Sequence, residues 1–264
     1  MAYPIEALGS KNNKIMTDWI KQRGTMNKIN RDQKITAIVC AFNEEKTIRG
    51  VMEALIKSPL LDEVISVDDG SNDKTAQILE DYQHLNQVKV FLLPENHGKG
   101  YGMSLAAESA RGEVLFFVDA DLVNLSERHI AMMIETFLSE EADMLMGSPV
   151  RGETISFAER LDPFLYLTGQ RVLYRSDFLQ LSEEIATSGY GVETILNNHY
   201  HEQRKRTRLI FLPDLIHPVK FEKNGLIEAL GGYILEGKEV LAVRWKRQQV
   251  FWQSLLFADH QNID

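Results

Sequence analysis

Residues 62–73 read DEVISVDDGSND, an apolar run that ends in two adjacent aspartates followed by glycine and serine. The run EVISV has the composition of a buried β-strand, and glycine with serine is typical of the turn that follows one. Asp68 and Asp69 therefore lie where a hydrophobic strand reaches the protein surface. Adjacent carboxylates repel each other, so we expect this pair to hold a ligand rather than to stabilise the fold.

Outward from this strand, residues 35 to about 148 alternate between strands and helices. ITAIVCAF at 35–42 predicts a strand buried on both faces, and apolar residues at helical spacing predict a helix over 44–58. The other predicted elements are helices over 72–85, 98–112 and 126–140 and strands over 62–69, 88–94, 113–121 and 142–148. This alternation predicts an α/β fold with a mainly parallel central sheet flanked by helices, whose strands all end at one edge. Ligands bind at that edge in such sheets.

The alternation stops after residue 150. The later segments predict one or two helices over 160–181, a glycine-rich turn that enters a helix over 189–206, a strand over 208–217 and a largely helical stretch over 226–257. We therefore expect three parts. They are an N-terminal extension of uncertain order over 1–34, a catalytic domain over 35–225 and a helical segment over 226–264 packed on that domain.

The composition excludes several classes of protein. A net charge of −9 argues against a nucleic-acid binder, which needs a basic face. Cys40 is the single cysteine, so neither a disulfide framework nor a cysteine zinc cluster is expected. The first thirty residues lack the pattern of a secretory signal, and no apolar run is long enough to span a membrane. We therefore expect a cytoplasmic protein.

Three of the predicted strands end in polar side chains that this topology brings to one edge. They are Phe42-Asn43-Glu44 after the first strand, Asp68 and Asp69 after the second, and Asp119 and Asp121 after the fourth. A single aspartate in such a place is usually a helix cap or a turn residue. Several carboxylates together repel one another unless a cation is bound, and their oxygens suit Mg²⁺ or Mn²⁺ with a substrate's phosphates. The sequence therefore predicts a site for a metal ion with a diphosphate.

The stretch ENHGKGYG at 95–102 leaves the third strand toward the same edge. It is not the phosphate-binding P-loop, because the required spacing of glycine before the lysine is missing and Tyr101 follows Gly100. Glycines at 98 and 100 allow a close backbone approach to a ligand, and Lys99 adds a positive charge. A flexible turn before a helix is the simpler interpretation, and we favour the functional one.

With these residues in view, the chain resembles the nucleotide-sugar glycosyltransferases of the GT-A fold. This family 2-like superfamily includes dolichyl-phosphate mannose synthases and glucosyl-3-phosphoglycerate synthases. The matching strings, over about residues 35–225, are AFNEExTI, DDGSNDxT, NxGKG, FVDAD, GYGVE and a histidine, His217, shortly before Lys220. The resemblance implies a Rossmann-like, mainly parallel sheet with a helical C-terminal extension, and a hexosyltransferase that uses Mn²⁺ or Mg²⁺.

The resemblance also implies roles in binding the nucleotide. Phe42 and Glu44 would line the nucleoside pocket, with Glu44 on the ribose hydroxyls. Asp69 would accept a hydrogen bond from the base, with Asp68 beside it on the same loop. Lys99 would lie next to the nucleotide.

Further roles follow for the donor sugar and the metal. Asp119 would approach the ribose or the donor sugar, and Asp121 with His217 would bind the metal, since imidazole suits Mn²⁺. Glu193 would be a general base in an inverting enzyme, whereas in a retaining enzyme it would hydrogen-bond the donor sugar. The resemblance also implies that Arg171 or Arg175 would contact phosphate.

The expected function is the metal-dependent transfer of a sugar from a UDP- or GDP-linked donor to an unknown hydroxyl or phosphate acceptor. One alternative is a retaining enzyme similar to glucosyl-3-phosphoglycerate synthase, although that family often has serine where Asp69 stands. A second alternative is a sugar-nucleotide-binding module without turnover. Residues 244–257 mix tryptophan, phenylalanine and arginine. This stretch suits a helix packed on the core, with peripheral membrane contact or a homodimer contact as alternatives.

Overall fold

The structure is a computed structural model that describes residues 32–140, 142–150, 168–189 and 191–217. Nearly all of the N-terminal extension predicted over 1–34 lies outside these residues. The helical segment predicted over 226–264, with its proposed membrane or dimer contact, lies outside them as well.

Within the described residues, seven strands and seven helices form the fold. The strands are β1 (Ile35–Ala41), β2 (Glu63–Asp68), β3 (Val88–Leu92), β4 (Val114–Asp119), β5 (Met144–Val150), β6 (Gln170–Tyr174) and β7 (Thr207–Pro213). The helices are α1 (Ile48–Lys57), α2 (Thr75–Glu80), α3 (Lys99–Ser109), α4 (Glu127–Ser139), α5 (Arg175–Leu179), α6 (Ser182–Ala186) and α7 (Val192–Glu202).

All seven strands belong to one sheet in the order β3-β2-β1-β4-β6-β5-β7. Strands β1 to β4 pair in parallel with one another, and β5 pairs in parallel with β7. Strand β6 is antiparallel to both of its neighbours, β4 and β5. The mainly parallel α/β sheet expected from the sequence is confirmed, and the carboxyl ends of β1, β2 and β4 lie side by side.

Strand β6 corrects part of the one or two helices predicted over residues 160–181. Residues 160–167 lie outside the described part of the chain, Gln170–Tyr174 is a strand, and Arg175–Leu179 is helical as α5. Its residues QRVLY fill the space between β4 and β5, with Leu173 paired to Leu115 on one side and to Met144 on the other. The apolar spacing of this segment also fits a helix, so the pattern alone was ambiguous. The two neighbouring strands favour a strand over a helix here, because their unpaired backbone edges supply the hydrogen bonds that a strand needs.

Two predicted helices are shorter in the structure. Helix α1 begins at Ile48 rather than at residue 44, and α2 covers only Thr75–Glu80. In both cases the residues before the helix form a loop at the carboxyl end of a strand. Those loops contain the polar side chains that the sequence assigned to ligand binding.

Helices α3 and α7 pack on the same face of the sheet. Met103 and Ala106 of α3 share a buried core with Ile195 of α7, and the ring of Phe117 on β4 packs 4.9 Å from that of Phe178. At Gly100, near the start of α3, an added Cβ would lie 2.1 Å from the carbonyl oxygen of Ile185. Only glycine permits this close approach of the start of α3 to α6. The Gly100 N–H also donates to the carbonyl oxygen of Gly189, in the turn that leads into α7.

None of the helices in the described part of the chain combines the length and the hydropathy that crossing a bilayer requires.

Candidate active site at the carboxyl edge of the sheet

The loops after β1 and β2 are joined by reciprocal hydrogen bonds. The Asn43 backbone N–H donates to Ser71 Oγ at 2.9 Å, and the Asn72 N–H donates to Asn43 Oδ1 at 2.8 Å. The Glu44 N–H donates to Thr75 Oγ1 at 2.8 Å. Asn43 has a φ of 57°, which asparagine adopts more readily than most residues. These bonds fix the loop that carries Phe42 and Glu44 against the loop of the paired aspartates.

Asp73 strengthens the same junction. Its carboxylate accepts hydrogen bonds from the backbone N–H of Thr75 at 2.9 Å and from that of Glu45 at 3.1 Å. Burial raises the pKa of Asp73, but the hydrogen bonds from Thr75 and Glu45 outweigh it and hold the pKa below its usual value. Asp73 thus binds the first turn of α2 and the neighbouring loop.

Asp68 and Asp69 are both buried, and they point to different partners. The two carboxylate oxygens of Asp69 accept the backbone N–H groups of His97 and Gly98, each at 2.8 Å. Asp68 Oδ2 accepts the N–H of Ser71 at 3.1 Å. Its Oδ1 is buried and has no hydrogen-bond partner among the described residues. Asp69 therefore positions the loop before α3, and its contact with a nucleotide base stays a prediction.

Gly70 allows that loop to come close. Its φ is 72°, and an added Cβ would lie 2.5 Å from the backbone carbonyl carbon of Glu95. Any other residue would push the two loops apart. Phe42, on the neighbouring loop, has 38% of its surface exposed, so a large apolar face is open to solvent there.

Lys99 lies between two carboxylates from distant parts of the chain. Its Nζ donates to Asp119 Oδ1 at 2.9 Å and to Glu193 Oε1 at 2.8 Å. The exposed fractions of these side chains are 24% for Lys99, 15% for Asp119 and 12% for Glu193. Three residues that the sequence proposed separately for nucleotide, sugar and acid–base roles thus form one ion-paired cluster.

The charges in this cluster stabilise one another. Burial of the Lys99 ammonium lowers its pKa, but the negative charges of Asp119 and Glu193 outweigh burial and raise the pKa above its ordinary value. Burial raises the pKa of Asp119, yet the positive charge of Lys99 outweighs burial and holds that pKa below its ordinary range. Lys99 and Asp119 are therefore both ionised near neutral pH.

Strand β6 and the turn before it complete the surroundings of Asp119. Gln170 Nε2 donates to Asp119 Oδ2 at 2.7 Å. At Gly169 an added Cβ would lie 2.1 Å from Asp119 Oδ1, so this carboxylate rests directly on the glycine backbone. Neither residue was predicted at the site, because both fall in a segment predicted to be helical. A glycine directly before the short run QRVLY is the sequence feature that indicates the start of a strand there.

Asp121 and His217 meet through a short antiparallel bridge. The backbones of Val123 and Ile216 exchange hydrogen bonds of 2.9 and 3.1 Å, which places the following His217 near Asp121. His217 Nε2 lies 3.2 Å from Asp121 Oδ1 and 3.8 Å from Asp119 Oδ2. One ligand atom from each of these three side chains lies within 4.8 Å of the others.

The structure separates the two arginines proposed for phosphate contact. Arg175 lies at the opposite edge of the sheet, where its Nε and Nη2 donate to the carbonyl oxygens of Ala107 and Glu108. The prediction that Arg175 contacts phosphate at the site is therefore wrong, because this side chain binds the end of α3 at the other edge of the sheet. Arg171 is 1% exposed, which leaves its guanidinium no open face for a phosphate.

Comparison with known proteins gives a family match. The model of the family described as Glycosyl transferase family 2 matches residues 36–198. Among curated proteins, the chain is 32% identical over 150 residues to a poly(ribitol-phosphate) beta-N-acetylglucosaminyltransferase of Staphylococcus aureus, covering 53% of this chain and 26% of that protein. It is 32% identical over 121 residues to glucosyl-3-phosphoglycerate synthase of Petrotoga mobilis, covering 41% and 36%. The chain thus spans well under half the length of these relatives.

Solved structures show the same fold. Glucosyl-3-phosphoglycerate synthase from Mycobacterium tuberculosis, in complex with Mn²⁺, uridine diphosphate and phosphoglyceric acid, is similar at a TM-score of 0.62 and 22% identity. That similarity covers 82% of this chain and 78% of that chain. The same enzyme in complex with Mg²⁺ and uridine diphosphate is similar at a TM-score of 0.60 and 22% identity, covering 82% and 79%. The GT-A fold expected from the motifs is confirmed.

Proposed function

The chain belongs to glycosyl transferase family 2, and we propose that it moves a sugar from a nucleoside diphosphate sugar to a hydroxyl or phosphate acceptor, with Mn²⁺ or Mg²⁺. The observation that carries this proposal is the convergence of Asp119, Asp121, His217, Lys99 and Glu193 at one edge of the sheet. These groups supply the charges that metal, diphosphate and sugar hydroxyls require.

The donor set fits a divalent cation. Two carboxylate oxygens and one imidazole nitrogen can approach a single ion from Asp119, Asp121 and His217, and Mn²⁺ accepts both kinds of ligand. The sequence analysis assigned Asp121 and His217 to the metal, and the structure adds Asp119 as a third candidate ligand. When bound, such an ion would neutralise the diphosphate leaving group.

The nucleoside would occupy the two joined loops. Phe42 offers an exposed aromatic face, and Glu44 lies on the same loop with its backbone fixed by Thr75. The buried Asp68 Oδ1 lacks a hydrogen-bond partner among the described residues, so a donor from the ligand is the partner we propose for it. These contacts suit a nucleobase and a ribose, and a UDP-linked or GDP-linked donor is consistent with them.

We propose that Glu193 is the protein side chain that lies nearest to the reacting sugar. Its Oε1 accepts a hydrogen bond from Lys99. If it is a general base in an inverting reaction, this carboxylate must exchange the lysine for the acceptor hydroxyl. If the reaction is retaining, Glu193 and Lys99 can stay paired while Glu193 hydrogen-bonds the donor sugar. The stereochemistry of the product distinguishes these two roles.

A donor-release assay tests the proposal. The full chain would be incubated with Mn²⁺ and UDP-glucose, UDP-N-acetylglucosamine or GDP-mannose, and release of the nucleoside diphosphate would be measured. The acceptors to be added are phosphoglyceric acid, a ribitol phosphate polymer and a polyprenyl phosphate, which follow the chemistry in the names of the relatives. We expect release with one donor, and at least about 100-fold less in Glu193→Gln.

The matched control for that assay is Glu53→Gln, which changes an exposed glutamate on α1 in the same way. It should release nucleoside diphosphate at the wild-type rate. Binding of a nucleotide sugar without release under any condition would instead support a binding module without turnover. Failure to bind any of the three donors would contradict the proposed function.

A further inference from the structure

A buried cation lies within the sheet near the proposed site. Arg171 is 1% exposed, and its backbone pairs with Phe117 of β4 and with Met146 of β5. Arginine side chains are almost never fully buried unless partners hold them. Burial lowers the pKa of Arg171 to about 10, while the negative charges of Glu193 and Asp119 act to raise it. The guanidinium therefore stays protonated at neutral pH.

The hydrogen bonds of Arg171 join two elements of the site. Its Nε donates to the carbonyl oxygen of Thr168 at 2.9 Å, and its Nη1 donates to Asn197 Oδ1 at 2.8 Å. Thr168 precedes Gly169, the residue on which the Asp119 carboxylate rests. One guanidinium thus connects the turn beneath Asp119 with helix α7.

Asn197 follows Glu193 by four residues on α7, so both side chains lie on the same side of that helix. Fixing Asn197 therefore fixes the first turns of the helix that carries Glu193. The planar guanidinium holds its donors in set directions, which a lysine ammonium does not. The Thr168 carbonyl and the Asn197 amide are held at a set separation as a result.

We propose that Arg171 is a positioning residue that sets the separation between Asp119 and Glu193, and with it the fit of the donor sugar. This inference rests on the proposed function, in which these two carboxylates face the sugar. Arg171 itself touches neither nucleotide nor metal. Its loss should affect recognition of the sugar and leave recognition of the nucleoside diphosphate intact.

Stability alone does not explain an arginine at this position. Replacing buried ionic groups by apolar ones of similar volume is often neutral or stabilising. The backbone pairing of this position with Phe117 and Met146 would be the same with an apolar side chain. The specific links to Thr168 and Asn197 are what an apolar side chain would lack.

The test compares affinity for a nucleotide sugar with affinity for the nucleoside diphosphate alone. Full-length wild type, Arg171→Met and Asn197→Ala would be titrated calorimetrically, in Mn²⁺, with UDP, GDP, UDP-glucose, UDP-N-acetylglucosamine and GDP-mannose. For the donor that wild type binds, both variants should lose about tenfold in affinity for the nucleotide sugar. Their affinity for the matching diphosphate should change by less than about twofold, because Lys99 and Gln170 still hold Asp119 in place and the helix that carries Glu193 is what shifts.

Two further variants separate positioning from a structural role. Asn197→Asp keeps the acceptor for the guanidinium and should retain wild-type affinity for the nucleotide sugar. Adding Arg171→Met to Glu193→Gln should lower the affinity by no more than about twofold beyond Glu193→Gln alone, because both changes act on one carboxylate. Thermal unfolding of each variant reports whether the chain is folded.

The outcomes are distinguishable. Equal losses for nucleotide sugar and diphosphate, fully additive losses in the double variant, or unchanged sugar affinity in Asn197→Ala would overturn the positioning role. If Arg171→Met does not fold, Asn197→Ala still decides the question, since it breaks the same link and keeps the arginine. A folded wild type that binds none of the ligands overturns the proposed function, and this inference with it.

Discussion

Lys99 and Glu193 lie 94 positions apart in the sequence, yet Lys99 Nζ and Glu193 Oε1 are separated by 2.8 Å. The contact exists because α3 and α7 both begin at the carboxyl edge and pack on the same face of the sheet. Lys99 also pairs with Asp119 at the end of β4. One ammonium therefore bridges two carboxylates and offsets the repulsion between them.

The first prediction concerns this ion pair. Lys99→Met leaves Asp119 and Glu193 as neighbouring carboxylates without their shared cation. Breaking a partly buried pair by removing one partner should lower the free energy of unfolding by about 1–3 kcal/mol in EDTA. Urea unfolding of the two proteins gives this difference.

Lys57→Met provides the control for that experiment. Lys57 pairs with Glu53 on the exposed surface of α1, and such pairs contribute about 0–1 kcal/mol. A loss in Lys99→Met no larger than the loss in Lys57→Met would contradict the role given to Lys99.

The sequence predicted the acidic edge because that part of the fold follows from local patterns. The apolar runs before Asp68 and Asp119 identify buried strands, and parallel pairing brings the ends of such strands together. The structure confirms this arrangement. The pairing of Lys99 with Glu193 could not be predicted in the same way, since it depends on how α3 and α7 pack.

The prediction of helix rather than strand over residues 170–174 had a direct consequence for the site. Strand β6 forms because β4 and β5 lie on either side of it. A short apolar run does not indicate which strands will be its neighbours, so its strand conformation cannot be predicted from the run alone. With the strand missed, Gly169 and Gln170 could not be recognised as the surroundings of Asp119. The roles of Phe42 and Glu44 stay predictions that rest on the family resemblance.

The second prediction tests the contact between Gly169 and Asp119. In Gly169→Ala the new methyl would lie 2.1 Å from Asp119 Oδ1, so the carboxylate or the turn must move. Overpacking of this kind typically costs about 1–3 kcal/mol of stability. We also expect at least about a tenfold loss in Mn²⁺-dependent affinity for whichever of UDP and GDP the wild type binds, measured by calorimetry, because Asp119 is a candidate metal ligand.

Gly50→Ala is the matched control, since an added Cβ at Gly50 meets nothing within 4 Å. Alanine is the better helix former, so this variant should gain up to about 1 kcal/mol of stability and keep the wild-type affinity for that nucleoside diphosphate. If Gly169→Ala binds the diphosphate as tightly as Gly50→Ala does, the turn does not support Asp119 as described.

The third prediction concerns the pH dependence of Asp73. Its folded-state pKa lies below its ordinary value, with hydrogen bonds from Thr75 and Glu45 outweighing burial. A depressed pKa contributes stability that is present above the unfolded-state pKa of about 3.9 and is lost as pH falls through the folded pKa. Asp73→Asn should therefore be less stable than wild type by a constant amount from about pH 5 to 8.

Below about pH 4 the difference between wild type and Asp73→Asn should shrink. Chemical unfolding at a series of pH values measures it. As a comparison, Asp81→Asn alters a solvent-exposed pair with Arg49 and should cost less stability than Asp73→Asn from pH 5 to 8. A difference for Asp73→Asn that grows as the pH falls would show that the hydrogen bonds to its carboxylate are not what holds the two loops together.

The most direct test of the central claim is calorimetric titration of the full chain with UDP and with GDP, each in Mn²⁺ and in EDTA. Wild type should bind one of them at least about tenfold more tightly with Mn²⁺, and Asp121→Asn should lose that difference. Asp214→Asn, the same change on the exposed turn before His217, should behave as wild type, since asparagine tolerates its φ of 63°. Metal-independent binding, or equal binding by Asp121→Asn, would contradict the assignment of this edge to a metal and a nucleoside diphosphate.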